Sequence, residues 1–443
     1  MAPLTRKRKS AIIEATETKP ITPQPEPSET KYLTPETEPP TKTEPSGTKP
    51  MRTKPELDQM INNQNDVAMS LTKYILQKSK DSNVVFSPLS LQLVLGLVAA
   101  GSEGETLDQL LPFLKAESTH TLNSLAFYLI KHVFSGGSPS GDDPTLSLAN
   151  GVWIDKSLSF KPFFSKVVDQ VYKAGSEVVD FQNKASEAID KVNSWVEKET
   201  NGLVKDTVPP DLFDDETRIV FANAIYFKGS WGDQFCPWQT ENRDFHLLNG
   251  KSVRVPFMTS NMGLRYISAF NEFKVLKLPY KYDKNPRQIS MYFFLPNAKD
   301  GFPTLVDKLA SDSKFIDHHI PNNRVPVDEF WIPKFKVSFG FEATEALKEF
   351  GVRAPFIPGA LDSMMYSEEI QLLYVSNIFQ KSSIEVNESG TEASASSRVV
   401  LRGGGCPPVR YDFVANHPFL FLIREDRTGV VLFIGQVLNP LAT

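Results

Sequence analysis

An α+β fold is what this sequence predicts, from three features of its pattern. Apolar residues at helical spacing fall mainly in the first half of the chain, whereas strand-like apolar runs dominate the second. The two kinds do not alternate regularly, which sets aside a parallel doubly wound sheet. With 443 residues, 40% of them hydrophobic and 11% aromatic, the chain also has ample material for a large core.

Residues 1–55 carry about a third of the 33 prolines, set among Thr, Glu and Lys in phrases such as Leu33-Thr34-Pro35-Glu36. So little apolar surface cannot offset the entropy of ordering, and a disordered tail is expected. Its basic run, Arg6-Lys7-Arg8-Lys9, has the composition of a nuclear-import signal or a phosphate contact, and equally of a solvated charge run. Residues 56–443 read as one globular domain, with no composition break inside them. Leu71, Tyr74 and Ile75 share a helical face. After Val84-Val85-Phe86-Ser87-Pro88 a second helix is expected over Leu91–Ala100, closed by Gly101 as a C-terminal cap. Gly136 to Asp143, rich in Gly, Ser, Pro and Asp, reads as a surface loop. Ser186 to Thr200 is amphipathic, with Ile189, Val192 and Val196 on one face, and stops at Asn201-Gly202. Arg218 to Lys228 reads as a central strand whose β-branched and aromatic run is interrupted by Asn223. Further strands are expected at Ile289–Leu295, Glu329–Val337, Leu372–Ile378, Pro418–Ile423 and Val430–Val437, the last two as a hairpin.

A net charge of -5 gives no broad attraction to nucleic acid or to membranes. Two cysteines, Cys236 and Cys406, cannot build a disulfide framework, which points to a reducing compartment. The N-terminus lacks the apolar run of a secretory signal, and no apolar stretch is long enough to span a bilayer. A cytoplasmic protein is expected, with the basic run as a route to the nucleus. Catalytic frames are missing. None of the six histidines stands in H-E-x-x-H or beside a cysteine pair at zinc spacing, and His318-His319 reads as a solvated pair. Gly250-Lys251-Ser252 resembles the end of a phosphate loop, but Phe245 occupies the place where a glycine must let the backbone wrap phosphate. There is no G-x-S-x-G elbow, and no carboxylate spacing singles out an acid–base pair. No enzymatic activity, metal or cofactor is expected.

The most informative stretch runs from Glu388 to Arg402, E-S-G-T-E-A-S-A-S-S-R-V-V-L-R. Strand alternation would place Thr391, Ala393, Ala395, Ser397 and Val399 on one face and Glu392, Ser394, Ser396, Arg398 and Val400 on the other. Residues this small cannot hold a strand unaided, and Gly403-Gly404-Gly405-Cys406-Pro407-Pro408 follows at once. Such a segment is a loop until neighbouring strands receive it.

Several long motifs then fall into one order. They are Phe86-Ser87-Pro88-Leu89-Ser90, Phe221-Ala222-Asn223-Ala224-Ile225-Tyr226-Phe227-Lys228-Gly229-Ser230-Trp231, Val255-Pro256-Phe257-Met258, and Ile384-Glu385-Val386-Asn387-Glu388-Ser389-Gly390-Thr391-Glu392-Ala393. Asp412-Phe413-Val414-Ala415-Asn416-His417-Pro418-Phe419 and Gly429 to Val437 close the set. By these motifs the chain from about residue 56 onward resembles the serpins, and among them the plant, serpin-Z type, with an N-terminal extension.

The resemblance implies a serpin fold: three β-sheets with surrounding helices and an exposed reactive-centre loop held out as bait. A target protease forms an acyl bond with the loop, which then inserts as a new strand into the large sheet and traps the enzyme. It implies a hinge made of Glu388, Gly390, Thr391, Glu392, Ala393, Ser394, Ala395, Ser396 and Ser397. Ser87, Ser90 and Asn223 resemble the shutter, where the sheet parts, with Gln380 standing where the family usually has histidine. Trp231 and Lys334 resemble the breach, where insertion begins, and Lys334 would pair with Glu388. Because Gln both donates and accepts, the shutter bond from position 380 to Asn223 is expected to survive.

Two counts locate the bait. Forward from Glu388, the family spacing ends at Gly404, making Gly404-Gly405 the reactive bond; backward from Asp412-Phe413-Val414 it ends at Arg402, making it Arg402-Gly403. Arg402 suits a protease whose specificity pocket holds a carboxylate, and shortens the inserting arm by two residues, roughly 7 Å. Gly404 would present Leu401-Arg402-Gly403-Gly404, the tail read by ubiquitin-cleaving cysteine proteases. The leading expectation is a monomeric suicide inhibitor of trypsin-like serine or Arg-directed cysteine proteases, with Arg402 as bait. The second is a non-inhibitory binding protein on the same fold, acting in the nucleus through its tail.

Overall fold

The computed structural model describes residues 53–134, 144–200, 202, 204–210, 212–260, 263–282, 287–312, 314–361, 363–366, 373–390 and 410–442. The expected tail up to residue 52 and the expected loop from Gly136 to Asp143 lie outside the described residues.

The chain opens with helix α1 (Lys54–Lys78), strand β1 (Val84–Phe86) and helix α2 (Pro88–Ala100). Thr53 caps the first helix by accepting from the Glu56 N–H, and Ser87 caps the second by accepting from the Ser90 N–H at 3.2 Å. Both helices start with proline in the first turn, where a missing N–H costs nothing. Helix α2 is buried on every face, which accounts for its almost wholly apolar sequence. It does end at Gly101, but not through the left-handed cap the sequence suggested. Gly101 has φ -106°. The glycine is needed because Met364 and Phe164 close on it so tightly that a Cβ would overlap both.

Helices α3 (Gly104–Phe113) and α4 (Thr119–Leu129) follow, then β2 (Thr145–Asp155), β3 (Ser159–Phe160), α5 (Pro162–Lys166) and β4 (Gly175–Val179). Next come α6 (Phe181–Glu199) and β5 (Ile219–Lys228). The apolar face of α6 is the expected one, with Ile189, Val192 and Val196 buried. Strands β6 (Glu241–His246), β7 (Ser252–Met258), β8 (Leu264–Ala269), β9 (Phe273–Pro279) and β10 (Ile289–Pro296) precede helices α7 (Phe302–Ser311) and α8 (Phe315–His319). The C-terminal part holds β11 (Arg324–Pro333), β12 (Phe335–Glu342), α9 (Thr344–Glu349), β13 (Met365–Tyr366) and β14 (Ile378–Val386). Strands β15 (Tyr411–Val414), β16 (Phe419–Glu425) and β17 (Val431–Val437) complete it.

The strands form three sheets. One is five-stranded, in the order β12-β14-β5-β2-β4; one is ten-stranded, a path from β1 to β6 with β15 attached at β11 as the tenth strand; one is the short pair β13-β3. Strand β5 is the middle strand of the five, as its composition predicted. One face carries Phe221, Ile225 and Phe227 into the main core. The other carries Val220 and Ala222 against the buried side of α6. The hairpin β16-β17 forms in the expected antiparallel register.

Two expected strands are corrected. The run Glu329–Val337 is not one strand: it divides at Lys334, with β11 in the ten-stranded sheet and β12 in the five-stranded one. Pro333 ends β11 because it has no N–H to extend a ladder, and the next N–H, from Lys334, is taken by Pro256 O at 2.8 Å. Of the run Leu372–Ile378, the described residues 373–377 lie in no strand and only its last residue joins one. The strand itself, β14, continues to Val386 and buries Gln380 and Ser382 on the same face as Ile378, Ile384 and Val386. Polar residues on an inward face hid it from a hydrophobic pattern.

The crowding at Gly101 makes a prediction. Gly101→Val is expected to lower stability by about 1–3 kcal/mol through overpacking against Met364 and Phe164, seen as a lower urea midpoint; an unchanged midpoint would mean that the core there yields.

Candidate functional site

Strands β14 and β5 lie next to each other in parallel, from Ile378 opposite Phe221 to Ser383 opposite Tyr226. The outer neighbours of this pair, β12 and β2, are antiparallel to it. The pairing stops early. Ile384, Glu385 and Val386 remain paired with β12 but have no partner in β5, so the sheet is open at that end.

At the opening the chain is pinned by backbone and side chain together. The Trp231 indole donates to Asn387 O at 2.9 Å, the Trp231 N–H to Ser389 O at 3.2 Å and the Phe235 N–H to Glu388 O at 3.2 Å. Trp231 itself is fixed by stacking on Tyr280, with ring centroids 4.6 Å apart. One carboxylate oxygen of Glu388 meets Lys334 Nζ at 2.8 Å, and the other accepts from the Thr240 hydroxyl at 2.8 Å. Burial works to raise the Glu388 pKa, but the bonds from Lys334, its own backbone N–H and Thr240 outweigh it and hold the carboxyl below its ordinary value. Gly390 closes the turn with φ +85°, and a Cβ there would stand 2.5 Å from Gly229 O and from Trp231 N. Only glycine fits.

Midway along the pair, Gln380 of β14 lies opposite Asn223 of β5. The Gln380 amide donates to Ser87 O at 2.6 Å and to Ser90 Oγ at 3.0 Å. Ser90 Oγ donates to Asn223 Oδ1, and Asn223 Nδ2 donates to Asn150 Oδ1 of β2 at 2.6 Å. The expected link from Gln380 to Asn223 therefore exists only through Ser90: the amide reaches past Asn223 to the first turn of α2. Asn150 belongs to the network and was missed in the sequence. It is a lone amide in an apolar strand, the signal that had singled out Asn223. Gln380 Oε1 and Ser382 Oγ, both deeply buried on the inward face of β14, have no hydrogen-bond partner.

The hinge from Thr391 to Ser397, the bait residues Arg402 to Gly405, and Cys406 lie outside the described residues. The histidine pair divides: His318 stands exposed beside Asp312, while His319 packs on Phe270, Phe273 and Phe315. Among the described residues no group of three metal-ligating side chains is present.

A family model described as Serpin (serine protease inhibitor) matches residues 62–440. The chain belongs to the serpin family. It is 50% identical over 391 residues to Serpin-ZX of Arabidopsis thaliana, covering 87% of this chain and all of that one. Against Serpin-Z2B of Triticum aestivum it is 47% identical over 367 residues, covering 82% of this chain and 92% of the relative. Among solved structures it is similar to Arabidopsis AtSerpin1 in a native stressed conformation, with TM-score 0.80 and 49% identity over 87% of this chain and 99% of that one. The serpin fold, the likeness to plant serpins and the class of function, protease inhibition, follow from these matches. A protease is the corresponding class of partner.

Two predictions follow from this geometry. Because the folded Glu388 carboxyl is held below its ordinary 4.5, its bonds contribute fully above that value and are lost as the pH falls through the lower, folded value. The difference in urea midpoint between the wild type and Glu388→Gln is thus expected to be constant from pH 7 to 5 and to shrink in more acid solution; a gap that does not narrow at all on acidification would contradict the ion pair. Gln380→Ala, which strips Ser87 O and Ser90 Oγ of a buried donor, is expected to cost about 1–3 kcal/mol in the same measurement at pH 7.

Proposed function

We propose that this serpin is a suicide inhibitor of Arg-directed proteases, either trypsin-like serine or Arg-directed cysteine enzymes, with Arg402 as bait and with its loop inserting between β14 and β5. The observation that carries the reading is the directly paired, parallel β14-β5 boundary, open at the end where Glu388 stands. A strand entering there from Gly390 would run antiparallel to both neighbours. It would replace one parallel ladder with two antiparallel ones, which are more stable per residue, and would bury the small side chains of Thr391, Ala393 and Ala395.

Arm length permits the shorter count. The segment from Thr391 to Arg402 has twelve residues, against the ten of β5. At about 3.3 Å per residue the arm spans roughly 40 Å, longer than the strand it must cross. Losing two residues relative to the family spacing leaves the crossing intact. The chemistry is then that of any substrate up to its midpoint. The protease nucleophile attacks the Arg402 carbonyl, the Arg402-Gly403 bond breaks, the new amine leaves on Gly403, and the acyl bond stays with Arg402. Insertion carries that bond away from the mouth of the sheet before water can hydrolyse it.

Incubation with trypsin tests the reading. A complex of protease and the N-terminal fragment that survives boiling in detergent is expected, and Arg402→Ala is expected to abolish it. A clipped chain with no adduct would overturn the inhibitory reading and leave a binding role for the folded domain.

A further inference from the structure

The sequence contains Asn-Gly pairs at 150–151, 201–202 and 249–250, of which Asn201 lies outside the described residues. The fold treats the other two in opposite ways. Asn150 and Gly151 sit in β2, laddered to Asn223 and Ala222 of β5. Asn150 is 3% exposed, and its amide is held at both ends, accepting from Asn223 Nδ2 at 2.6 Å and donating to Tyr172 O at 3.5 Å. Asn249 and Gly250 instead form the exposed tip of the β6-β7 hairpin. The Leu247 N–H donates to Lys251 O at 2.8 Å and closes the tip, the Gly250 N–H donates to Leu247 O at 3.0 Å, and Gly250 takes φ +80°. This is the three-residue hairpin loop in which a left-handed residue follows a turn, a place glycine fills without strain. A Cβ on Gly250 would meet nothing within 4 Å, so no packing holds the pair.

We propose that Asn249 is a site of spontaneous covalent modification, in which the backbone nitrogen of Gly250 attacks the Asn249 side chain and converts it to aspartate and isoaspartate. The Gly250 nitrogen gives its proton to water and bonds to Asn249 Cγ; the Cγ–Nδ2 bond breaks, ammonia leaves, and a cyclic imide closes. Water then opens the ring. Attack at Cγ leaves aspartate, and attack at the main-chain carbonyl leaves isoaspartate, with the chain running on through Cγ. The structure favours this at 249. Asn249 Oδ1 accepts from the Lys251 N–H at 3.0 Å, so a donor already points at the oxygen on which negative charge gathers during attack. The leaving Nδ2 has no partner among the described residues, and the neighbouring glycine brings no side chain to hinder the approach. Freeing the attacking nitrogen breaks one exposed turn bond, to Leu247 O, whereas at Asn150 a buried ladder would have to open. The tip is also tied to the rest of the fold: His246, at the end of β6, donates its N–H to Asn416 O at 2.8 Å, between β15 and β16.

The test is to incubate the full chain for weeks in mildly alkaline buffer, both folded and in urea, and to follow the peptides holding residues 150 and 249 by mass spectrometry. In the folded chain Asn249 is expected to convert at least about 100-fold faster than Asn150, because opening an exposed tip costs almost nothing and opening a core strand approaches global unfolding. In urea the two rates are expected to converge, since each asparagine has glycine as its neighbour. Asn249→Gln, whose longer side chain would have to close a larger ring, is expected to show no conversion at 249. Equal rates at 249 and 150 in the folded chain, or a folded Asn249 that stays intact while the chain in urea converts, would overturn the proposal, as would conversion of the glutamine variant at the wild-type rate. None of these outcomes depends on whether the chain traps trypsin.

Discussion

The structure depends on one constraint: β14 and β5 must be held side by side although nothing but a short parallel ladder joins their backbones. What holds them is a polar chain perpendicular to the strands. It passes from Gln380 through Ser90 and Asn223 to Asn150 and so ties β14, β5, β2 and the capped start of α2 into one unit. Ser87 has two tasks in it, as N-cap of α2 and as carbonyl acceptor for Gln380. The helix terminus and the sheet are therefore not separable pieces of stability. Each buried bond is worth little on balance, but removing one partner leaves the other stranded, and that asymmetry makes the chain act as a catch.

The catch is imperfect. Gln380 Oε1 and Ser382 Oγ, next to each other on the inward face of β14, are buried without partners. At the open end the opposite holds, because Asn387, Glu388 and Ser389 are bound by the Trp231 indole, two backbone N–H groups, Lys334 and Thr240. The five-stranded arrangement thus leaves two polar groups of β14 unpaired and is clamped at its mouth. On the proposed insertion, an incoming strand would have to undo the clamp first, which would separate the barrier to insertion from the gain it brings.

Much of this was legible in the sequence, for reasons that differ from residue to residue. Strand β5 and helix α6 announced themselves because each buries a clear apolar face. The hairpin β16-β17 did so because both strands are fully buried and the turn between them is polar and ends in glycine. Strand β14 did not, because its inward face carries Gln380 and Ser382, and hydrophobic alternation cannot see a polar catch. The break at Lys334 was hidden for a related reason: Phe330 to Phe335 is continuous in composition, and only the missing N–H of Pro333 divides it. The pairing of Lys334 with Glu388 came from family resemblance. No sequence spacing joins residues 54 positions apart.

That position 380 carries an amide decides what the catch responds to. An imidazole at this place would gain charge across the range from pH 5 to 8 and carry a proton-dependent term into the closed sheet. The amide carries none: Ser87, Ser90, Asn150, Asn223 and Gln380 contain no side chain that titrates between strong acid and strong base. Acid sensitivity is left to the mouth, where Glu388 loses its charge only below its ordinary carboxylate range. The two halves of the closure therefore answer to different conditions. The polar chain is indifferent to pH and the clamp loosens only in acid, so at neutral pH neither half of the closure offers a proton switch.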